Sequence, residues 1–192
     1  MQARPDPRTR CAHALAAAVL LGATLAAPLA AGTRPPVGAR SGVDLARAAA
    51  TAWAADASLI YIENDEPLDA AGHAARWGYL FYSPARDAAR AWSVRDERIV
   101  AAEDLAMRFS APPLEPGWID SDAALAASRE AVARAFPRTV EATLTHMLLL
   151  RGAFDDDPDR ATWTLVYAAP GEAGLYAMID ANDGRVRRTW RG

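Results

Sequence analysis

The chain has 192 residues, 52% of them hydrophobic, and a formal net charge of −3. This is enough apolar material for one substantial core or two small ones, and it excludes a largely disordered chain. The slight acidic excess offers nucleic acid no basic surface, and the absence of Lys, with all 21 basic residues Arg, reflects coding bias more than chemistry.

Residues 1–32 read as a secretory signal peptide. Arg4, Arg8 and Arg10 precede an apolar run that begins at Ala14, and the small residues around Pro28 to Gly32 suit a signal peptidase. The run is shorter than the roughly 20 residues that span a bilayer, which sets a cleaved signal above an uncleaved anchor. Cys11, the single cysteine, lies before the run and without the context of a lipoprotein signal, so it is not a lipid anchor. The mature chain therefore has no disulfide and must hold together by packing. Cleavage after Gly32 leaves 18 Arg against 23 acidic residues, a charge of −5. The expected location is secreted or periplasmic, with the membrane met only through the signal segment before cleavage.

Residues 33–40, TRPPVGAR, form a flexible leader, and a first unit follows over 41–104. Ser41 and Asp44 suit a helix start, and Ala46, Ala49, Trp53 and Ala57 recur at helical spacing, which predicts a helix from about Gly42 to Ala57. Leu59 to Ile62 then read as a strand, stopped at Asp65-Glu66-Pro67. Trp77 to Tyr82 is apolar on both faces, as in a strand covered on both sides. Ala91 to Arg95 and Arg98 to Ala101 complete four strands, the last two joined by an Asp-Glu turn.

A Pro-rich linker over 105–118 leads to a second unit at 119–192. Ser121 or Asp122 caps a helix whose stripe is Leu125, Ser128, Val132 and Phe136, ended by Pro137. Thr143 to Leu150 is a strand, Phe154 to Arg160 an acidic loop, and from Thr162 to Trp190 the chain alternates apolar and polar residues around turns at Pro170-Gly171 and Asp183-Gly184. Trp163, Leu165 and Tyr167 repeat the pattern of Trp77, Tyr79 and Phe81. The fold expected is α+β, two tandem repeats, each one helix packed on an antiparallel sheet of about four strands.

The second unit, with IDSDAALAAS opening its helix, WTLVY as a strand and YAMIDANDGRVRRTW as closing hairpin, resembles a PepSY or PepSY-like domain. Trp163, Asp180, Ala181, Gly184 and Val186 carry the resemblance; the first unit is a divergent copy whose turn has become Asp96-Glu97-Arg98. The resemblance implies a role in inhibiting or chaperoning a secreted metallopeptidase, or a stand-alone exported module, and it brings no catalytic residues.

The residues themselves suggest no reaction. His73 and His146 lack an HExxH pattern and a cysteine partner, so both read as ordinary loop and strand histidines. Asp155, Asp156, Asp157 and Asp159 are interrupted by Pro158 and lack the alternation and distal Glu of a calcium loop, and Asp180 to Gly184 reads as a turn. Ser83, Ser93, Ser110, Ser121 and Ser128 have no G-x-S-x-G context. Trp53, Trp77 and Trp163 fall at core positions, whereas Trp92, Trp118 and Trp190 could form an apolar ligand surface. No catalytic, cofactor or metal residue is assigned. The expectation is a non-enzymatic exported module that binds a protein or peptide, including a secreted peptidase it inhibits; the alternative is a carrier of an apolar small molecule held between the two repeats.

Overall fold

The computed structural model describes residues 34–105, 111–135, 142–153, 157–171 and 173–192. The signal segment, Phe136, Pro137, Asp155, Asp156 and Ser110 lie outside the described residues. Two helices, α1 (Val43–Trp53) and α2 (Ser121–Ala135), each precede four strands: β1 (Ser58–Asn64), β2 (Arg76–Ser83), β3 (Ala88–Arg95) and β4 (Arg98–Asp104), then β5 (Thr143–Arg151), β6 (Ala161–Ala168), β7 (Leu175–Asp180) and β8 (Val186–Arg191). No helix among the described residues is long and apolar enough to cross a membrane.

These strands do not make two sheets. They form one eight-stranded sheet in the order β4-β3-β2-β1-β5-β6-β7-β8, antiparallel throughout, and this overturns the expectation of two tandem helix-on-sheet repeats. The joint is β1 against β5, with Tyr61, Ile62 and Glu63 opposite Leu150, Leu149 and Leu148. Its physical reason is that each first strand is apolar and, without a neighbour, would leave a bare edge in the middle of the molecule. Asn64 extends the joint with its side chain: Met147 N donates to Oδ1 at 2.7 Å, and Nδ2 donates to Thr145 O at 3.1 Å.

A second set of bonds ties the starts of the two helices. Ala39 N donates to Ser121 Oγ at 3.3 Å and Arg40 N to Asp120 Oδ1 at 3.1 Å, while the Arg40 guanidinium donates to Trp118 O and lies 4.4 Å from the Trp118 ring centre. Gly38 is required here, since a Cβ would stand 2.3 Å from Asp120 Oδ2. The helix start differs from expectation. Gly42 is the N-cap, Ser41 Oγ donates back to Gly38 O, and the helix ends at Trp53 because Ala54 turns extended to enter β1.

One face of the sheet carries both helices and the main core, centred on tryptophans. Trp77 and Trp163 meet edge to face at 6.3 Å, and Trp118 meets Trp163 at 6.1 Å. Each central indole has a partner of the same kind, Trp77 Nε1 donating to Val37 O at 2.9 Å and Trp163 Nε1 to Ile119 O at 2.8 Å. The other face holds Ile60, Leu80 and Ala89, covered by Leu105 and Ala111 from the connection after β4. That connection returns to the helix side where Leu114 N donates to Leu59 O at 2.7 Å. Thus β2 is buried on both faces, as its sequence suggests.

Candidate functional site

A cleft of about 440 Å³ opens between α2, the first residues of β5 and the loop that follows β1. The stripe on α2 brings Leu125 and Val132 toward the sheet, and Ser128 seats the helix by donating to Leu125 O at 2.8 Å and sharing a 3.2 Å bond with the Tyr167 hydroxyl. Past that point the facing residues are small. Ala70, Ala133 and Ala142 leave the space that a larger side chain would fill, over a floor of Leu144 and Tyr167 and beside Leu68.

The polar groups of this cleft are few, and most are already engaged. The Asp69 carboxylate closes its own loop, accepting from Ala71 N at 2.8 Å and His73 N at 2.9 Å. Burial alone would raise its pKa, but the N–H groups of His73, Ala71 and Gly72 and the nearby His73 ring outweigh that and hold it below the ordinary value. Burial pushes the Tyr167 hydroxyl up, and its bond is to Ser128. Arg129 donates through Nη2 to Ala70 O at 3.1 Å and, among the described residues, faces no carboxylate. Such a surface can hold an apolar group, with one guanidinium at its lip. It contains no nucleophile paired with a base.

Away from the cleft, two polar clusters stand out. The first surrounds Asp180, which is completely buried. Burial would raise its pKa, yet Arg187, Arg160 and the N–H groups of Asn182 and Asp183 bring it down to about 2. The distances are 2.6 Å from Arg187 Nη2 and 2.9 Å from Asn182 N, with Arg160 Nη1 also bonded. This carboxylate therefore shapes the β7–β8 turn, in which Gly184 has φ of 73°.

The second cluster lies on the face opposite the helices. The Tyr61 hydroxyl donates to Glu63 Oε2 at 2.7 Å, and the Ser93 hydroxyl donates to Asp65, which lies over Gly78. Burial, with Asp65 nearby, pushes the Glu63 carboxyl up against the opposing bond from Tyr61. The sequence pattern marked Asp65 only as part of the stop after the first strand and did not bring it together with Glu63 and Ser93, which lie on β1 and β3.

The sequence candidates fall apart in space. His73 sits in the loop beside Asp69, 3.7 Å from its carboxylate, whereas His146 is on β5 with Nδ1 3.0 Å from Thr145 Oγ1. Asp157 bonds Arg160 and Asp159 bonds Arg151, and no group of three or more His, Cys, Asp or Glu side chains among the described residues is placed to hold a metal ion. Ser83, Ser121 and Ser128 are buried in structural hydrogen bonds. Trp92 and Trp118 are core residues, contrary to the apolar-surface alternative, and Trp190 stacks on Tyr176 at 5.0 Å. The cleft itself was missed: neither Leu68 to Ala70 nor Arg129 belongs to any motif that the sequence displays.

No protein-family model and no curated protein matches the chain. Among solved structures, that of a "putative lipoprotein" from Clostridium difficile 630 is similar with a TM-score of 0.49 and 10% sequence identity, over 74% of this chain and 87% of that one.

Proposed function

We propose that this chain is an exported, non-enzymatic binding module, PepSY-like in its second half, that holds a protein or peptide partner in the cleft beside α2. A secreted peptidase that it inhibits or accompanies is one partner of this kind. The location, secreted or periplasmic, rests on the pattern of residues 1–32. The observation that carries the binding role is an open apolar cleft whose polar groups are, apart from Thr143 and part of Arg129, engaged within the fold. Its volume, about 440 Å³, lies within the range of ligand sites. The wide mouth favours a macromolecular partner over a free apolar molecule: Asp69, Ala70, Arg129, Ala133 and Thr143 are all exposed, so a small ligand would stay in contact with water. The centre between the two halves is filled by Trp77, Trp118 and Trp163 in contact, which gives a carried molecule no room there.

A photo-crosslinking residue placed at Ala133, on the cleft, and in a second protein at Ala48, on the exposed side of α1, tests this in the exporting cell. The cleft position is expected to give a discrete protein adduct and the α1 position none. Equal labelling from both positions, or mass spectrometry showing only a bound small molecule, overturns it.

A further inference from the structure

We infer that the cleft recognises a partner segment in which an apolar side chain stands next to an acidic one, the apolar group entering between α2 and β5 and the carboxylate meeting Arg129. The inference rests on the binding role proposed above and names the chemistry of what is bound. Its ground is a count of available hydrogen-bonding groups. Asp69 is closed into its loop, and the Tyr167 hydroxyl is held by Ser128. What remains at the lip is the Thr143 hydroxyl and the part of the Arg129 guanidinium not engaged with Ala70 O.

An arginine has five N–H donors and no acceptor, and the bond to Ala70 O uses one of them and places this one beside the cleft. Most described arginines in the second half already face a carboxylate: Arg134 faces Glu130, Arg151 faces Glu115 and Asp159, Arg160 and Arg187 face Asp180, and Arg185 faces Asp183. Arg129 has none among the described residues. The rim carries two charges, and the Asp69 carboxylate is turned to the N–H groups of its own loop while Arg129 has no acid partner among the described residues. The complement to this apolar floor is therefore an apolar group with an anion placed beside the guanidinium.

Panning a random peptide library on the mature chain tests this without a known partner. The selected peptides are expected to pair a large apolar residue with an adjacent Asp or Glu. Replacing that acid by its amide in the best peptide is expected to weaken binding by up to about fivefold, the range for a charge pair at a solvated rim, and the difference should shrink as salt is raised. In Arg129→Met the acid and amide peptides should bind alike, while Arg129→Lys should keep part of the preference. Selected peptides without acid enrichment, or an acid preference that persists in Arg129→Met, overturn the inference. Ala133→Trp, which fills the cleft from an exposed helix position, separates the two levels of argument. Acid-independent binding that Ala133→Trp abolishes removes the carboxylate and keeps the cleft as a binding site; binding indifferent to Ala133→Trp, or no selected peptide at all, removes both.

Discussion

One strand pair beyond its central tryptophan, each half of the sheet meets the same problem of a charged position, and the two halves solve it in opposite ways. In the second half Thr162 faces Asp180, and the carboxylate is enclosed by Arg160 and Arg187 with no exposure at all. In the first half Arg76 faces Arg95, and these two guanidiniums meet Asp65 and Glu66, which keep 18% and 25% of their side-chain surface exposed. The following turns differ accordingly. Asp180 holds the N–H groups of Asn182 and Asp183 and sets a long turn closed by Gly184, whereas β3 and β4 are joined by Asp96 and Glu97 alone, both at positive φ (52° and 58°). A buried carboxylate can organise a turn because its partners cannot exchange it for water. A network that makes its bonds between side chains and stays partly open to water leaves the turn to backbone preference.

The largest effects test whether the halves are separable at all. Trp163→Ala and Trp77→Ala each remove a fully buried indole and its bond to Ile119 O or Val37 O, and each is expected to cost about 3–5 kcal/mol. Because the two rings touch and β1 pairs with β5, both variants should shift one common denaturant transition. Two transitions, one for each half, would show that the sheet is not a single cooperative unit.

Next comes the charge contrast itself. Asp180→Ala leaves two guanidiniums and two turn N–H groups without their acceptor and is expected to cost about 3 kcal/mol, whereas Glu66→Ala, whose pairs with Arg76 and Arg95 are partly open to water, should cost about 1 kcal/mol. The pH dependence has a definite sign. The folded pKa of Asp180, about 2, lies below its ordinary 3.8, so its contribution is fully present above about pH 4 and is lost as pH falls toward 2. The wild type should lose about 2 kcal/mol over that window, and Asp180→Ala should lose correspondingly less; parallel acid titrations of the two proteins would refute the enclosed carboxylate.

A smaller effect is expected at the tie between the helix starts. In Gly38→Ala the new Cβ would push Asp120 away from Arg40 N and Ser121 N, at a cost of about 1–2 kcal/mol read from the same melts. Glu97→Gly, at a turn position that suits glycine, should instead stabilise by up to about 1 kcal/mol, less whatever the exposed Glu97 pair with Arg34 contributes.

These sites also mark where sequence reasoning reached and where it stopped. Alternation placed Trp77, Tyr79, Trp163 and Leu165 on buried faces, because period-two patterning reports which side of a strand meets the core. It could not tell one sheet from two. Whether β1 finds β5 depends on edge pairing and on the Asn64 bonds, which involve residues about 80 positions apart and leave no local pattern. The Asp180 to Gly184 turn was legible as a turn, but its two arginines were not, since Arg160 and Arg187 belong to different segments. The cleft was illegible for a related reason. It exists because Ala70, Ala133 and Ala142 are small where three elements meet, and in a chain so rich in alanine none of them attracts notice.

The smallest expected effect sharpens the comparison at its starting pair. Thr162 holds in the second half the place that Arg76 holds in the first, and its hydroxyl is buried with no hydrogen-bond partner among the described residues. A threonine there carries the cost of a desolvated hydroxyl without a compensating bond. Valine has nearly the same shape and the same β-branched preference for a strand, so the usual penalty of exchanging the two, the loss of a satisfied hydroxyl, does not arise. Thr162→Val should therefore stabilise the protein by up to about 1 kcal/mol. The test is its urea midpoint in the wild-type and Asp180→Ala backgrounds. A gain of similar size in both follows if the hydroxyl is idle. A loss of stability in the wild-type background alone would mean that Thr162 is a working member of the Asp180 network, and that the enclosed carboxylate draws on a third side chain.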